Sequence, residues 1–431
     1  MNAAAEILAA LKPLTAREER GRQIAKMGGI REVGARFSVP SQTPGSPPYL
    51  VDLVDQTCTC DDYELRRKPC KHYEAVLSWI AAEGKVANDV VEIKATKRKP
   101  YRQNWPVYNA AQTREKEMVA KLLADLCAGL QTAPQQRRRG QQPLRLEDKI
   151  FAAAMKVYTT FSGRRASTDI RDFAENGFIK EAPAYNSVFR TMEDAATTEI
   201  LIRLIEESAA PLAAIENIAG QFAQDSTGFS TVTYDRWFDQ KHGKLHAEHE
   251  WVKLHIMVGT VTNVVTGVRV SGEADCPLLP DLLKQTARRF KVNEVSGDKA
   301  YLSKDNLEAI DKIGAVPFIP FKSNSVGMSH KSALWKRMWC HFTLKAEDFL
   351  AHYHRRSNVE STMWMIKSKW GGSVRSKLPT AQMNEVLCKV LCHNLVCLVH
   401  AILEFDIDAE FWKPPPALTP PARPALALVR S

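Results

Sequence analysis

Past residue 216 the apolar pattern changes period, and that change restricts the fold more than anything else in the chain. Val252, Leu254, Ile256 and Val258 alternate with more polar neighbours, and residues 264–270 follow as a partner strand. Ahead of them, residues 221–224 read as a short strand ending at Asp225. Behind them helices and strands take turns: helix over 277–290, strand over 292–297 ending at Asp298, helix over 306–313, strand over 316–320. A long helix starts near Ala346, and a last apolar helix covers 384–405. A strand pair followed by such alternation implies an α/β fold, a mixed sheet flanked by helices.

Both aspartates sit at strand carboxyl ends, where open α/β sheets place their chemistry. Farther on, Tyr353, Arg356, Glu360 and Lys367 are spaced by three, four and seven residues. On one α-helix these offsets are near-whole turns and bring the four side chains to one face. A carboxylate flanked by two cations and a phenol suits a site that holds a metal ion and grips phosphate. An ordinary solvated helix face with an i,i+4 Arg–Glu pair explains Arg356 and Glu360 but not the other two.

The spacing Y-x2-R-x3-E-x6-K is similar to the Tyr-Arg-Glu-Lys signature of the DDE transposases of bacterial insertion sequences, at all four positions. Asp225-Ser-Thr-Gly and Gly-Asp298-Lys-Ala-Tyr resemble that group's surroundings of its first two aspartates. The gaps are 298 − 225 = 73 and 360 − 298 = 62 residues, and the resemblance covers roughly residues 216–405. It implies a ribonuclease-H-like sheet in which Asp225, Asp298 and Glu360 are catalytic and hold two Mg²⁺ (or Mn²⁺) ions, Asp225 bridging both. Two such ions activate the nucleophile and stabilise the leaving oxygen of a phosphodiester. Tyr353, Arg356, Lys367 and Lys299 are then DNA-binding, with Lys369 and Lys377 extending the basic surface. Asp235 and Asp239 compete for the first carboxylate position but lie beyond the strand. Trp364 could stack on an extruded base; packing against the sheet is the favoured reading.

Nearer the N-terminus, Cys58-x-Cys60, nine residues and then Cys70-x-His72 give three thiolates and an imidazole within a short span. That set suits one tetrahedral structural Zn²⁺. With the aliphatic helix that follows, it resembles the SWIM zinc finger, a module used for nucleic-acid or protein contacts. Arg66, Arg67, Lys68 and Lys71 beside the ligands suggest a phosphate-facing knuckle. Cys388, Cys392, His393, Cys397 and His400 lie on one apolar helix, which cannot surround a metal, and read as buried hydrophobes. His242, His246, His249 and His255 read as surface or DNA-facing.

The formal charge of +10 favours a polyanionic partner, and residues 94–102 and 137–139 are strongly cationic runs. The organisation read from the sequence is a zinc module over 1–90, a basic linker over 91–145, a helical region over 146–215, the catalytic domain over 216–405, and a Pro-rich disordered tail over 406–431. In the helical region, 167–174 and 185–192 flank Asn176-Gly177 as a possible helix-turn-helix. The expected function is a transposase acting on double-stranded DNA, at element ends and target, as a homo-oligomer in a synaptic complex. A transposase-derived regulator and a structure-specific nuclease are the alternatives. With no secretory signal and no apolar run judged long enough to span a bilayer, a bacterial cytoplasmic, nucleoid-associated protein without a membrane partner is expected.

Overall fold

The computed structural model describes residues 16–34, 36–43, 45–53, 55–82, 104–130, 143–231, 251–327 and 332–414. Residues 94–102, 137–139 and 415–431, together with Asp235, Asp239, His242, His246 and His249, lie outside the described residues. In chain order the first elements are helix α1 (Ala16–Met27), strands β1 (Arg31–Val33), β2 (Arg36–Val39), β3 (Tyr49–Asp52) and β4 (Thr57–Cys58), and helices α2 (Asp61–Arg66) and α3 (Lys71–Ala82). Helices α4 (Trp105–Ala128), α5 (Leu146–Tyr158), α6 (Gly163–Glu175), α7 (Tyr185–Glu193), α8 (Ala195–Ala209) and α9 (Ala213–Ala219) follow. Then come β5 (Gln221–Ser230), β6 (Trp251–Gly259), β7 (Val265–Val270), α10 (Leu279–Ala287), β8 (Glu294–Gly297), α11 (Lys304–Lys312) and β9 (Val316–Phe318). The last helices are α12 (Ala333–Leu344), α13 (Ala346–Tyr353), α14 (Ser357–Trp370) and α15 (Pro379–Phe405), with a 3-10 turn, His354–Arg356, between α13 and α14.

Two compact units result. One joins residues 1–99 to residues 320–351; the other joins 100–319 to 352–431. Residues 320–351, read from sequence as part of a continuous 216–405 domain, therefore cluster with the zinc module. The helical region 146–215 clusters with the sheet that follows it instead of standing apart. The reason is apolar: α15 packs against α4, α5, α7 and α8, and Leu123, Leu126, Ile150, Leu201 and Leu204 are fully buried there.

The first unit holds a four-stranded antiparallel meander in the order β1-β2-β3-β4. Helix α1 lies close on α3: a Cβ at Gly21 would stand 2.7 Å from the Glu74 Cβ and 2.9 Å from the Ala75 nitrogen. Helix α12 was not anticipated from the sequence. It buries Trp335, Met338, Trp339 and Cys340.

In the second unit the sheet order is β7-β6-β5-β8-β9. β5, β6 and β7 pair antiparallel, while β5–β8 and β8–β9 are parallel. This is the mixed ribonuclease-H-like sheet that the resemblance implied. β5 begins at a fixed point because Gly220 closes α9 in the left-handed region at φ +64°. A Cβ there would meet the Asn293 side chain at 2.3 Å and the Lys291 carbonyl at 2.8 Å. The β6–β7 turn is held by buried Glu216, which accepts from the Thr262 N–H (2.6 Å) and hydroxyl (2.7 Å). Helices α6 and α7 are joined by residues 176–184, a longer link than the about 3–4 residues of a helix-turn-helix. α6 ends in a Schellman motif, with Gly177 donating to Ala174, Phe178 donating to Phe173, and the two phenylalanine rings 5.9 Å apart.

Helix α15 corrects one expectation: by length and composition it is apolar enough to cross a membrane. It is nevertheless a core helix here, with Val386, Leu387, Val390, Leu391, Leu395 and Leu398 fully buried. Cys388 and Cys392 are buried as well, Cys392 Sγ donating to the Ala154 carbonyl at 3.6 Å. His393 donates to the Asn263 carbonyl at 2.9 Å, and burial lowers its pKa to about 4. The folded protein thus keeps His393 neutral while an unfolded chain protonates near its ordinary value of about 6.5. Stability from this residue is present above that value and is lost as the pH falls towards 4. His393→Gln keeps the donor and removes the titration. Between pH 7 and pH 4.5, urea unfolding is expected to show a loss about 2–3 kcal/mol smaller in the variant than in the parent.

Candidate active site and metal centre

β5 passes Asp225 without ending: it pairs with β6 through Ser230. What ends there is the parallel pairing with β8, whose last rung is Gln224 with Gly297. Asp225 and Asp298 are the next residues along the two strands, so they lie side by side about one strand spacing apart, roughly 5 Å. Asp298 also caps the short 3-10 turn that follows, accepting from the Lys299 N–H. Lys299 itself is exposed.

The third carboxylate arrives on α14, which packs on β5 and β6. Val359, Met363, Ile366 and Trp370 form its buried stripe, leaving Glu360 on the open side with its side chain 56% exposed. The Tyr353–Lys367 segment is not one α-helix as expected, because the 3-10 turn His354–Arg356 interrupts it. That tighter turn leaves Tyr353 on α13 and Arg356 at the junction. Short 3-10 pieces inside helices often mark functional joints.

Arg356 ties the centre together. Its guanidinium donates to Asp225 Oδ2 at 2.7 Å and to Glu360 Oε1 at 2.6 Å. Asp225 Oδ1 accepts from the Ser226 N–H at 2.8 Å. Burial pushes the Asp225 carboxyl above its ordinary pKa; Ser226 and Arg356 oppose this, and the nearby charges of Asp298 and Glu360 add to it. The Tyr353 phenol is also pushed up, first by burial and further by Asp298, Glu360 and Asp225, with Arg356 opposing. Three carboxylates therefore share one field around Asp225, with Arg356 bonded to two of them. An anion that burial and two like charges disfavour is relieved by a cation, and hard carboxylate oxygens suit Mg²⁺ or Mn²⁺. The donor set fits a divalent ion.

Lys367 donates to Thr227 Oγ1 at 2.6 Å and stands over the Phe229 ring, its pKa lowered by burial. Lys369 does not extend a basic surface as expected. It pairs with Glu115, whose side chain is only 8% exposed and also accepts from the Tyr158 hydroxyl at 2.6 Å. Lys369→Met would leave Glu115 buried with a single donor. It is expected to cost about 2 kcal/mol in urea unfolding, below the full buried-pair value because Lys369 is partly exposed. Trp364, expected to pack against the sheet, is 70% exposed one turn beyond Glu360. His255 is fully buried, 3.1 Å from Asp275 and 3.3 Å from the Ser271 carbonyl, which overturns its reading as a surface residue.

Two supporting residues escaped the sequence reading. Lys389, buried on α15, donates to the Gly371 and Ser373 carbonyls at 2.9 and 2.7 Å. Glu385 accepts from the Arg375 and Ser376 N–H groups at 3.0 and 2.9 Å. Together they clamp the segment leaving α14, and Ser373 bridges to Ser230 at the end of β5. Glu385 and Lys389, two charges within the apolar stretch of α15, were the available signal.

In the first unit, Cys58, Cys60, Cys70 and His72 are all buried, and their ligand atoms lie within 4.8 Å of one another. His72 Nδ1 is 3.8 Å from Cys58 Sγ and 3.9 Å from Cys70 Sγ. Tetrahedral zinc with ordinary Zn–S and Zn–N bonds needs ligand separations of roughly 3.6–3.8 Å. The Cys70 thiol is drawn below its usual range by the Cys58 S–H, while Cys58 is raised by the same contact and by burial. Sulfurs crowded so that they cannot all ionise alone fit a zinc ion. Tyr49 stacks on His72 at 4.2 Å and fixes the imidazole plane. Arg66 pairs with Asp62, and Arg67 stands over the Tyr63 ring at 5.9 Å.

Family comparison matches residues 219–395 to the transposase DDE domain and residues 48–78 to the SWIM zinc finger. The chain carries a transposase DDE domain and, ahead of it, a SWIM zinc finger. The first match encloses Asp225, Asp298, Tyr353, Arg356, Glu360 and Lys367; the second encloses all four zinc ligands. No solved structure matches the chain.

Proposed function

We propose that this protein cuts DNA at the ends of an insertion sequence and joins the freed 3′ hydroxyl to target DNA. The observation that carries the reading is Arg356 bonded to both Asp225 and Glu360, with Asp298 beside Asp225 on the neighbouring strand. Asp225, Asp298 and Glu360 would hold two Mg²⁺ or Mn²⁺ ions, which when bound supply an activated nucleophile and a stabilised leaving oxygen. Arg356 has five donors in a fixed fork, two of them used here, and offers its remaining N–H groups to phosphate. Lys367 sets a partly desolvated ammonium beside Thr227, where phosphate would offset the cost of its burial. Tyr353 keeps its proton near neutral pH and so donates a hydrogen bond to the DNA backbone. Lys299, exposed next to Asp298, adds a further cation. The excess of basic residues strengthens association with duplex DNA at low salt.

The same reading makes the protein a homo-oligomer that pairs two element ends, in the bacterial cytoplasm at the nucleoid. The test is a labelled duplex carrying the element end, incubated with a supercoiled target in Mg²⁺, Mn²⁺, Ca²⁺ or EDTA. Cleavage at the end plus a joined product in Mg²⁺ or Mn²⁺ supports the proposal. Cleavage without joining favours the nuclease alternative. Tight binding with neither product points to a regulator.

A further inference from the structure

The zinc ligands and the chain leading to Glu360 meet within one compact unit. Cys70 and His72 flank the start of α3, and Glu74 follows on its first turn. Glu74 Oε1 lies 3.3 Å from the Lys336 ammonium on α12, and the two side chains are only 8% and 17% exposed. From the β3–β4 turn, Gln56 Nε2 donates to the Ala333 carbonyl at 3.4 Å, at the first residue of α12. α12 is fastened in turn to α13. His341 Nε2 is 2.7 Å from Asp348 Oδ2, and the Phe342 and Phe349 rings are 5.2 Å apart. Phe321 closes the cluster against Trp335 at 5.0 Å. α13 then runs directly into the His354–Arg356 turn.

We propose that the Cys58/Cys60/Cys70/His72 centre and the Glu74–Lys336 pair act together as a brace that orders α12 and α13, so that zinc loading sets the order of the chain that precedes the His354–Arg356 turn. The physical reason is the small size of the module. Its ligands tie β4 to the start of α3, and ligand binding energy in such modules is folding energy. When the knuckle opens, α3 loses its start, Glu74 leaves Lys336 buried without its partner, and α12 loses its support. Glu74 and Lys336 are positioning residues in this scheme.

Hydrogen–deuterium exchange on the full chain tests it, compared zinc-loaded, zinc-stripped by chelator, and as zinc-loaded Lys336→Met. Stripping zinc is expected to raise exchange at least about tenfold over residues 333–351 as well as 48–82, leaving 379–405 unchanged. Lys336→Met is expected to raise exchange over 333–351 while one zinc per chain is retained and 48–82 stays protected. If stripping opens 48–82 but leaves 333–351 protected, the brace is wrong. A Lys336→Met protein indistinguishable from the parent would equally overturn the role of the pair. Neither readout involves DNA, so failure here is separable from failure of the proposed transposition chemistry.

Discussion

Asp225→Asn, Asp298→Asn and Glu360→Gln are each expected to lower single-turnover cleavage of an element-end duplex by about 10³-fold or more. Each amide keeps the shape of the side chain and removes one anionic oxygen from a centre whose task is to hold divalent cations. Folding should survive in all three. Asp225 is the informative case, because its charge is already disfavoured by burial and by Asp298 and Glu360. Neutralising it relieves that cost while Arg356 keeps Glu360 as a partner, so thermal midpoints should stay within a few degrees of the parent. Loss of cleavage with an intact melting transition supports the assignment. A variant that cuts at the parental rate removes that residue from the catalytic set.

Cys70→Ser is expected to take bound zinc from one ion per chain to none and to unfold residues 48–82. Cys70 is fully buried where the S–H of Cys58 and the His72 imidazole converge. A structural site of this kind contributes on the order of 10 kcal/mol of apparent binding free energy, comparable to the whole stability of a domain, about 5–15 kcal/mol. The folded module therefore cannot survive its loss. Metal content by atomic emission, with near-ultraviolet circular dichroism of Tyr49, Tyr73 and Trp79, reads both effects. A Cys70→Ser protein that keeps stoichiometric zinc and its aromatic signal would show that the centre is organised differently.

Much of the candidate site could be read before the fold was known, because its signals are local. Cys58, Cys60, Cys70 and His72 announce a tetrahedral ligand set by residue type alone, and the structure gathers all four. The alternation at 252–258 marks β6, and the strand–helix alternation after it marks α10, β8, α11 and β9. Readings failed where a neighbour distant in the chain decided the outcome. Lys369 looks like one more surface cation until Glu115, 254 residues away, claims it. His255 sits within a histidine-rich run yet is buried against the β7 end of the sheet and Asp275. Trp364 reads as packed because its flank is apolar, but α14 already fills its buried stripe with Val359, Met363, Ile366 and Trp370.

The sequence by itself determined the cast and the local spacing: which side chains can share a helix turn, which can ligate zinc, where strands give way to helices. Those properties depend on a few bonds of backbone geometry and hold whatever the rest of the chain does. Only the tertiary structure decided that Asp225 lies beside Asp298, that Arg356 reaches Asp225 across 131 residues, and that residues 320–351 belong with the zinc module. Such convergence is set by sheet register and by the burial of complementary apolar faces, and both are properties of the whole folded chain.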